Sequence, residues 1–144
     1  MKVTAIIPAA GTGKRINTKK QFLEILGKSV LSLTVSVFED CQAIDDIIVV
    51  VNKEDIEQSK DLLKHHKKIA KIVPGGEERQ DSVYNGLLAT APDTDMVVIH
   101  DGARPLVTKD IISSAVAEAK VSKAVVAGVP AKDTLKIVSP EKTV

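Results

Sequence analysis

The sequence predicts a doubly wound, Rossmann-like α/β fold in which a mostly parallel sheet carries helices on both faces. Short runs rich in β-branched residues alternate with amphipathic stretches along the 144 residues, an order typical of parallel sheets. Three of these runs are apolar without alternation, as expected of strands that helices cover on both faces. No linker composition or internal repeat interrupts the order, so one domain is predicted over residues 1–144.

Five runs of this kind are predicted to be the strands, and they cover residues 3–7, 47–51, 71–73, 96–100 and 124–129. Between them, residues recur at the spacing of one helix face in four stretches, which predicts four helices. Asn52 and Thr108 are predicted N-caps of the second and fourth helices, because their side chains can accept a bond from a first-turn amide. The predicted faces consist of Val30, Leu33, Val37 and Cys41; Ile56, Ser59, Leu63 and His66; Tyr84, Leu88 and Ala91; and Ile112, Ala115, Val116 and Ala119.

Composition limits the classes of function. Hydrophobic residues make up 44% of the chain, enough for a sizeable core. Twenty basic and nineteen acidic residues leave a formal net charge of +1, which gives no support to a general nucleic-acid binder. Cys41 is the single cysteine and is expected to be a buried thiol in a reducing compartment. Without a signal segment or an apolar run of about 18 residues, a soluble cytoplasmic protein with no membrane partner is expected.

Four polar segments follow predicted strands, and ligands of doubly wound sheets bind at the carboxyl ends of the strands. The segments are PAAGTGKR, PGGEERQDS, HDGARP and PAKDTLK, which begin at Pro8, Pro74, His100 and Pro130. Small residues, charges and prolines are more concentrated in them than a purely structural turn requires. The sequence therefore predicts a ligand site built from these segments.

The first segment is a candidate anion site. Gly11 and Gly13 lack a β-carbon, so successive backbone N–H groups can approach the oxygens of a ligand. The two familiar phosphate-loop motifs are absent, since one requires glycine at Ile16 and the other requires serine or threonine at Arg15. An ordinary tight turn explains the glycines alone equally well. Four positive charges lie close together here: Lys14, Arg15, Lys19 and Lys20. They repel one another by up to about a kcal/mol per pair in water, and an anion bound among them would reverse that repulsion. A bound anion is therefore favoured over a solvated basic loop.

Asp101 comes directly after the fourth predicted strand and is a candidate metal ligand. Magnesium takes one or two carboxylates and completes its shell with phosphate and water, so a carboxylate beside a polyphosphate suits it. A turn or helix cap is the alternative role. His100 is expected to pack or hydrogen-bond rather than act as a base, because no serine or cysteine nucleophile accompanies it. Hydrogen-bonding groups for a polar second substrate are offered by Lys132, Asp133 and Thr134.

In this order, the four segments resemble the 2-C-methyl-D-erythritol 4-phosphate cytidylyltransferase family, and the resemblance covers essentially the whole chain. PAAGTGKR alone is similar to nucleotidyltransferases in general, whereas KKQF, GGEERQDSV and HDGARP make the match specific. The resemblance implies a fold of nucleotidyltransferase type and transfer of CMP from CTP to methylerythritol phosphate, with release of pyrophosphate, in the non-mevalonate isoprenoid pathway. It also implies Mg²⁺ as cofactor and a homodimer.

Site residues are implied where this sequence matches the motifs of the family. Arg15 and Lys20 match the transition-state stabilisers, and Asp101 matches the metal-proximal carboxylate. Positive charge suits this chemistry, because attack on the α-phosphorus forms a highly anionic transition state. The implied nucleotide site consists of Pro8, Ala9, Ala10, Gly11, Gly13, Gly76, Glu77 and Ser82. The implied sugar-phosphate site consists of Gly102, Arg104 and Thr134, while Lys14 and Lys19 are expected to form a solvated rim.

The sequence departs from the family pattern in small ways and in one large way. NTKKQ lacks the proline that many members have beside the lysine, GGEER replaces the commoner GGDER, and HDGARP replaces HDAARP. These changes are expected to be tolerated. The chain stops at Val144, whereas family members continue with an arm that reaches the partner subunit and a segment that supplies an arginine and a lysine for the sugar phosphate. The prediction is therefore a nucleotidyltransferase domain without the C-terminal segment of the family, either a fragment or a shortened protein.

Two other functions stay open at this point. A cytidylyltransferase for ribitol 5-phosphate shares the architecture, although PAAG favours methylerythritol phosphate over the LAGG expected for ribitol phosphate. The other is a CTP-binding module without efficient turnover, which the early end of the chain suggests.

Overall fold

The computed structural model describes residues 1–11 and 19–133. These residues form one main sheet and a small antiparallel hairpin. The hairpin consists of β2 (Glu24–Ile25) and β3 (Lys28–Ser29). The main sheet has the strand order β5-β4-β1-β6 and consists of β1 (Val3–Pro8), β4 (Asp46–Val51), β5 (Ile69–Pro74) and β6 (Met96–Ile99).

Every pairing in the main sheet is parallel. β1 lies in the middle, with Ile6 opposite Ile48 of β4 on one side and Ile99 of β6 on the other. All six residues of β1 are buried. The first four predicted strands are thereby confirmed, and their carboxyl ends meet at one edge of the sheet.

Four helices are described: α1 (Val30–Glu39), α2 (Ile56–Leu63), α3 (Arg79–Leu88) and α4 (Lys109–Ser122). Successive residues of β1 point to opposite faces of the sheet. Ile7 belongs to a core cluster with Leu31 of α1 and Ile112 of α4. Ile6 belongs to a second cluster with Val50, and α3 packs on this face. Helices therefore cover both faces of a parallel sheet, as the sequence predicts.

Side-chain hydroxyl groups cap the starts of α1 and α4. The Thr108 hydroxyl accepts a hydrogen bond from the Ile111 amide (3.3 Å), so the predicted N-cap of α4 is confirmed. Ser29 caps α1 in the same way, accepting from the Ser32 amide at 3.0 Å. The predicted cap at Asn52 is wrong, because a 3-10 turn precedes α2 and the Asn52 side chain instead donates from Nδ2 to the Asp55 carboxylate (3.2 Å).

The predicted inner face of α3 is wrong, and that of α1 is confirmed only at its two ends, since Val30 and Cys41 are buried. In α1, Leu33 and Val37 are only half-buried, and the residues that enter the core are Leu31, Val35 and Phe38. Tyr84 and Leu88 of α3 are 59% and 67% exposed, and α3 instead lies on the sheet through Ser82 and Gly86. The faces of α2 and α4 are confirmed at their main positions, since Ser59, Leu63, Ile112 and Val116 are buried.

The predicted fifth strand, residues 124–129, is also wrong. This segment is described without strand structure, and Val126 and Val129 are about 90% exposed. Apolar β-branched residues fit a strand only where a neighbouring strand and a packed face receive them. Within residues 1–11 and 19–133, no backbone hydrogen bond joins this segment to β6. The described helices include none that is long and apolar enough to cross a membrane.

Candidate active site

A cavity of about 630 Å³ lies at the carboxyl ends of β1, β5 and β6. Three of the four predicted segments contribute to its walls, together with the turn that follows residues 12–18. The lining residues are Pro8, Ala9, Ala10, Gly11, Lys20, Gln21, Gly76, Glu77, Glu78, Arg79, Ser82, Asp101, Ala103 and Arg104. The parallel sheet explains this convergence, because segments far apart in sequence leave it at the same edge.

The backbone after β1 is held from both sides. The Ala9 amide donates to the carbonyl of Val50 at 2.7 Å, and the Gly102 amide donates to the carbonyl of Pro8 at 2.9 Å. Gly102 is buried behind this backbone, where a β-carbon would lie 2.9 Å from the Ala9 side chain. Gly102 is not among the lining residues. Its small size therefore supports the position of Ala9, which does line the cavity.

The segment between β5 and α3 forms the opposite wall. Ser82 is 3% exposed, and its hydroxyl accepts from the Gly76 amide (3.2 Å) and donates to the Glu78 carbonyl (3.2 Å). A β-carbon at Gly75 would lie 2.5 Å from the Ala10 side chain, so glycine permits the two walls to approach closely. The Glu78 amide donates to Asp81 (3.0 Å), which fixes the start of α3. Ser82 thus orders a turn whose backbone and charged side chains face the cavity.

Asp101 is the centre of an ion-pair cluster at the cavity. Arg79 donates to Oδ1 from Nε at 3.0 Å and from Nη2 at 2.8 Å, and Arg104 Nε lies 2.9 Å from Oδ2. His100 supports the turn, since its Nε2 lies 2.9 Å from the Arg104 carbonyl and its ring lies 5.3 Å from that of Phe38. The prediction that His100 packs and hydrogen-bonds is confirmed.

The fit of a metal ion to this cavity depends on Asp101. The described residues contain no group of three or more His, Cys, Asp and Glu side chains placed to hold an ion. A carboxylate offers about four lone-pair sites, so the arginine contacts leave Asp101 room for a further ligand. Magnesium needs only one or two carboxylates when phosphate oxygens and water complete its shell. Asp101 fits that requirement.

The side chains of Lys19 and Lys20 have different neighbours: Lys20 lines the cavity, whereas Lys19 contacts a buried carboxylate. Lys20 is exposed and lines the cavity, and no carboxylate pairs with it among the described residues. Lys19 Nζ lies 2.7 Å from Oδ1 of the buried Asp55. This hydrogen bond raises the pKa of Lys19 above its usual value. The expectation of a solvated rim is therefore wrong for Lys19, and Lys14 lies outside the described residues.

Most of the predicted site residues in the described part of the chain meet in this cavity. They are Pro8, Ala9, Ala10, Gly11, Lys20, Gly76, Glu77, Ser82, Asp101 and Arg104. Gly13, Arg15 and Thr134 lie outside the described residues. Lys132 and Asp133 are exposed and do not line the cavity.

The family model for 2-C-methyl-D-erythritol 4-phosphate cytidylyltransferase matches residues 3–144. The chain belongs to this family. A 2-C-methyl-D-erythritol 4-phosphate cytidylyltransferase of Clostridium botulinum (strain Langeland, type F) is 48% identical over 140 residues, which cover 94% of this chain and 61% of the relative. The protein of that name from Caldanaerobacter subterraneus is 48% identical over 142 residues, covering 95% and 63%.

Solved cytidylyltransferase structures have the same fold. The 4-diphosphocytidyl-2C-methyl-D-erythritol synthase of Anaerococcus prevotii superposes with a TM-score of 0.89 at 31% identity, covering 99% of this chain and 62% of that one. The Francisella tularensis 2-C-methyl-D-erythritol 4-phosphate cytidylyltransferase gives 0.78 at 34% identity, covering 97% and 63%. The chain thus spans somewhat more than three fifths of the length of the cytidylyltransferases that it matches.

Sequence reasoning assigned no role to four lining residues of this family member: Gln21, Glu78, Arg79 and Ala103. All four fall within the motifs KKQF, GGEERQDSV and HDGARP, so their positions carried a usable signal. Gln21 is 3% exposed and donates to the carbonyl of Gly11 at 3.1 Å. Arg79 was missed because charge alone does not indicate that a side chain will reach Asp101 across 22 residues.

Proposed function

We propose that this chain transfers CMP from CTP to the phosphate of 2-C-methyl-D-erythritol 4-phosphate. The products are 4-diphosphocytidyl-2-C-methyl-D-erythritol and pyrophosphate, in the non-mevalonate route to isoprenoids. One observation carries the proposal: a chain of this family places the backbone after β1, Lys20, Asp101 and the Ser82 turn around one cavity.

The reaction is an in-line substitution at phosphorus. A phosphate oxygen of methylerythritol phosphate forms a bond to the α-phosphorus of CTP, while the bond from that phosphorus to the bridging oxygen of the β-phosphate breaks. Pyrophosphate leaves with the electron pair of that bond. The chemistry needs alignment of two anions and positive charge at the α-phosphate rather than a covalent intermediate.

The residues of the cavity divide between these tasks. The backbone of Ala10 and Gly11, which lines the cavity, receives the triphosphate, and Lys20 supplies positive charge to the transition state. The turn ordered by Ser82, with Gly76 and Glu77, receives cytosine and ribose. Arg104 is the described residue assigned to the acceptor phosphate, and the same proposal gives Arg15 and Thr134 the roles that their motif positions imply.

Magnesium is the proposed cofactor, and Asp101 is the residue that would hold it. Bound there with the triphosphate, the ion would neutralise phosphate charge. In the described structure Asp101 forms ion pairs with the guanidinium groups of Arg79 and Arg104. Arg79 and Arg104 keep the carboxylate at the wall of the cavity, close to where the phosphates of CTP would lie.

Asp101→Asn is expected to lower kcat by about two orders of magnitude, because it removes the charge that the cation needs and keeps the shape of the side chain. Pyrophosphate release measured against Mg²⁺ concentration checks this prediction, and manganese binding in the presence of CTP, followed by electron paramagnetic resonance, gives a readout without turnover. Asp110→Asn, at an exposed position in the first turn of α4, is the matched control. Unchanged manganese binding and kcat in Asp101→Asn would refute the metal role.

The function itself is tested by pyrophosphate release from CTP and Mg²⁺ with two acceptors, methylerythritol phosphate and ribitol 5-phosphate. Turnover with methylerythritol phosphate is the expected result. Turnover confined to ribitol 5-phosphate would overturn the choice of acceptor. Calorimetric binding of CTP without turnover would indicate a nucleotide-binding module, and the absence of both binding and turnover would exclude all three functions.

The homodimer and the cytoplasmic location stay predictions. The buried thiol of Cys41 agrees with a reducing compartment. Sedimentation equilibrium of the purified chain would test the dimer.

A further inference from the structure

Lys19 makes an ion pair that differs from an ordinary surface contact. Its Nζ lies 2.7 Å from Oδ1 and 2.8 Å from Oδ2 of Asp55, and 3.4 Å from the Glu54 carboxylate. The Asp55 side chain is 7% exposed. Exposed pairs contribute little because water screens both charges, whereas loss of the partner from a buried carboxylate leaves that charge uncompensated. Lys19 is the cation that compensates Asp55 in the described structure.

Asp55 is itself fixed to the sheet. Its amide donates to the carbonyl of Asn52 at 2.9 Å, and its Oδ2 accepts from the Asn52 side chain at 3.2 Å. Asn52 directly follows β4, a strand that is almost wholly buried. The contact from Lys19 to Asp55 therefore ties the chain after residues 12–18 to the central sheet.

A second contact holds the same stretch from the other side. Gln21 is 3% exposed and donates from Nε2 to the carbonyl of Gly11 at 3.1 Å. Between the two anchored residues lies Lys20, which starts the 3-10 turn Lys20–Phe22. The Phe22 amide donates to the Lys19 carbonyl (3.0 Å) and closes this turn. With its neighbours held in different directions, Lys20 is left facing the cavity.

We propose that Lys19 is a positioning residue, which through its ion pair with Asp55 fixes the turn that presents Lys20 to the cavity. The ammonium group of Lys19 does not touch the substrates in this arrangement. Its effect on turnover passes through Lys20, so the kinetic part of the inference rests on the proposed function. The structural part, an ordered turn at Lys20–Phe22, does not.

The experiment compares Lys19→Met, Asp55→Asn, the double variant and Lys19→Arg. Lys53→Met is the matched control, since it removes an exposed lysine from the 3-10 turn that contains Asp55. Lys19→Met is expected to melt several degrees lower than the parent, and the double variant is expected to recover that loss because no buried charge remains. Lys19→Arg, which keeps the charge, is expected to resemble the parent.

Two further readouts separate positioning from simple stability. Exchange of the Phe22 and Leu23 amides, measured by NMR, is expected to be about tenfold faster in Lys19→Met and in the double variant, because the tether is absent in both. The kcat with CTP is expected to fall about tenfold in both, with KM little changed. Recovery of kcat and of amide protection in the double variant would overturn the proposal, as would unchanged exchange in Lys19→Met.

Failure of the proposed function can be distinguished from failure of the positioning role of Lys19. A parent chain that releases no pyrophosphate contradicts the proposed function, and amide exchange then decides for or against the role of Lys19. A parent chain that turns over normally, with normal kcat in Lys19→Met, contradicts the role of Lys19 and leaves the proposed function standing.

Discussion

Lys20→Ala is expected to lower kcat by about two to three orders of magnitude, while the dissociation constant for CTP changes only a few-fold. Lys20 lines the cavity, and no carboxylate neutralises it among the residues described. An interaction that strengthens as negative charge accumulates on the reacting phosphorus affects turnover more than ground-state binding. Stopped-flow release of pyrophosphate and calorimetry with CTP would measure the two quantities on the same preparation.

Two further variants, Lys28→Ala and Arg15→Ala, are compared with Lys20→Ala. Lys28→Ala removes an exposed lysine in the nearby hairpin, outside the cavity, and is expected to leave kcat unchanged. Arg15→Ala, by its motif position, is expected to resemble Lys20→Ala. If kcat is unaffected in both Lys20→Ala and Arg15→Ala, positive charge in this loop does not assist the reaction.

Gly86→Val is expected to reduce the free energy of unfolding by about 3 kcal/mol, since overpacking a close helix contact costs that order of energy. A β-carbon at Gly86 would lie 2.5 Å from Ile6 Cγ2 and 3.0 Å from Val50 Cγ2. Both neighbours are fully buried in the central strands and cannot withdraw. Urea denaturation is the measurement, and the midpoint should fall while the slope stays constant.

Leu87→Val is the matched control, because it places the same side chain at the next position of α3, which is 44% exposed. Gly86→Ala should lie between the two, since the gain of about 1 kcal/mol in helix propensity opposes the collision. Equal stability of Gly86→Val and Leu87→Val would show that α3 does not approach the sheet through Gly86.

The prediction of the fold succeeded where the signal is local and failed where it depends on a partner. The run at residues 47–51 contains only isoleucine and valine, and it forms the buried strand β4 as predicted. In α3 the apolar residues Tyr84 and Leu88 indicated the wrong face. Because the helix approaches β1 closely, small residues such as Gly86 occupy the contact, and hydrophobic spacing cannot detect a glycine.

The prediction of a strand at residues 124–129 failed for a related reason, because a strand depends on a neighbouring strand. Three of the six residues of this segment are valines, which favour strands, but strand formation also requires hydrogen bonds to a neighbour. Those bonds join residues that are far apart in the sequence, so the composition of a segment does not show whether they form.

For the site, motif positions predicted which segments converge but not which side chains hold them together. Asp101, Ser82 and Lys20 meet in the cavity as expected. The contacts that arrange them, from Arg79 to Asp101 and from Lys19 to Asp55, join residues 22 and 36 positions apart. Charged residues of these types are usually solvated, so only the fold reveals which of them have partners.

The central position of β1 has a consequence for the energetics of binding. Amide hydrogens of strands in the middle of a sheet are usually among the last of a protein to exchange. The bond from the Ala9 amide to Val50 continues the hydrogen bonding of the sheet one residue past the strand, into the wall of the cavity. A phosphate that binds there meets a backbone that became ordered during folding. Little conformational entropy is then left to be lost on association, so more of the contact energy remains as affinity.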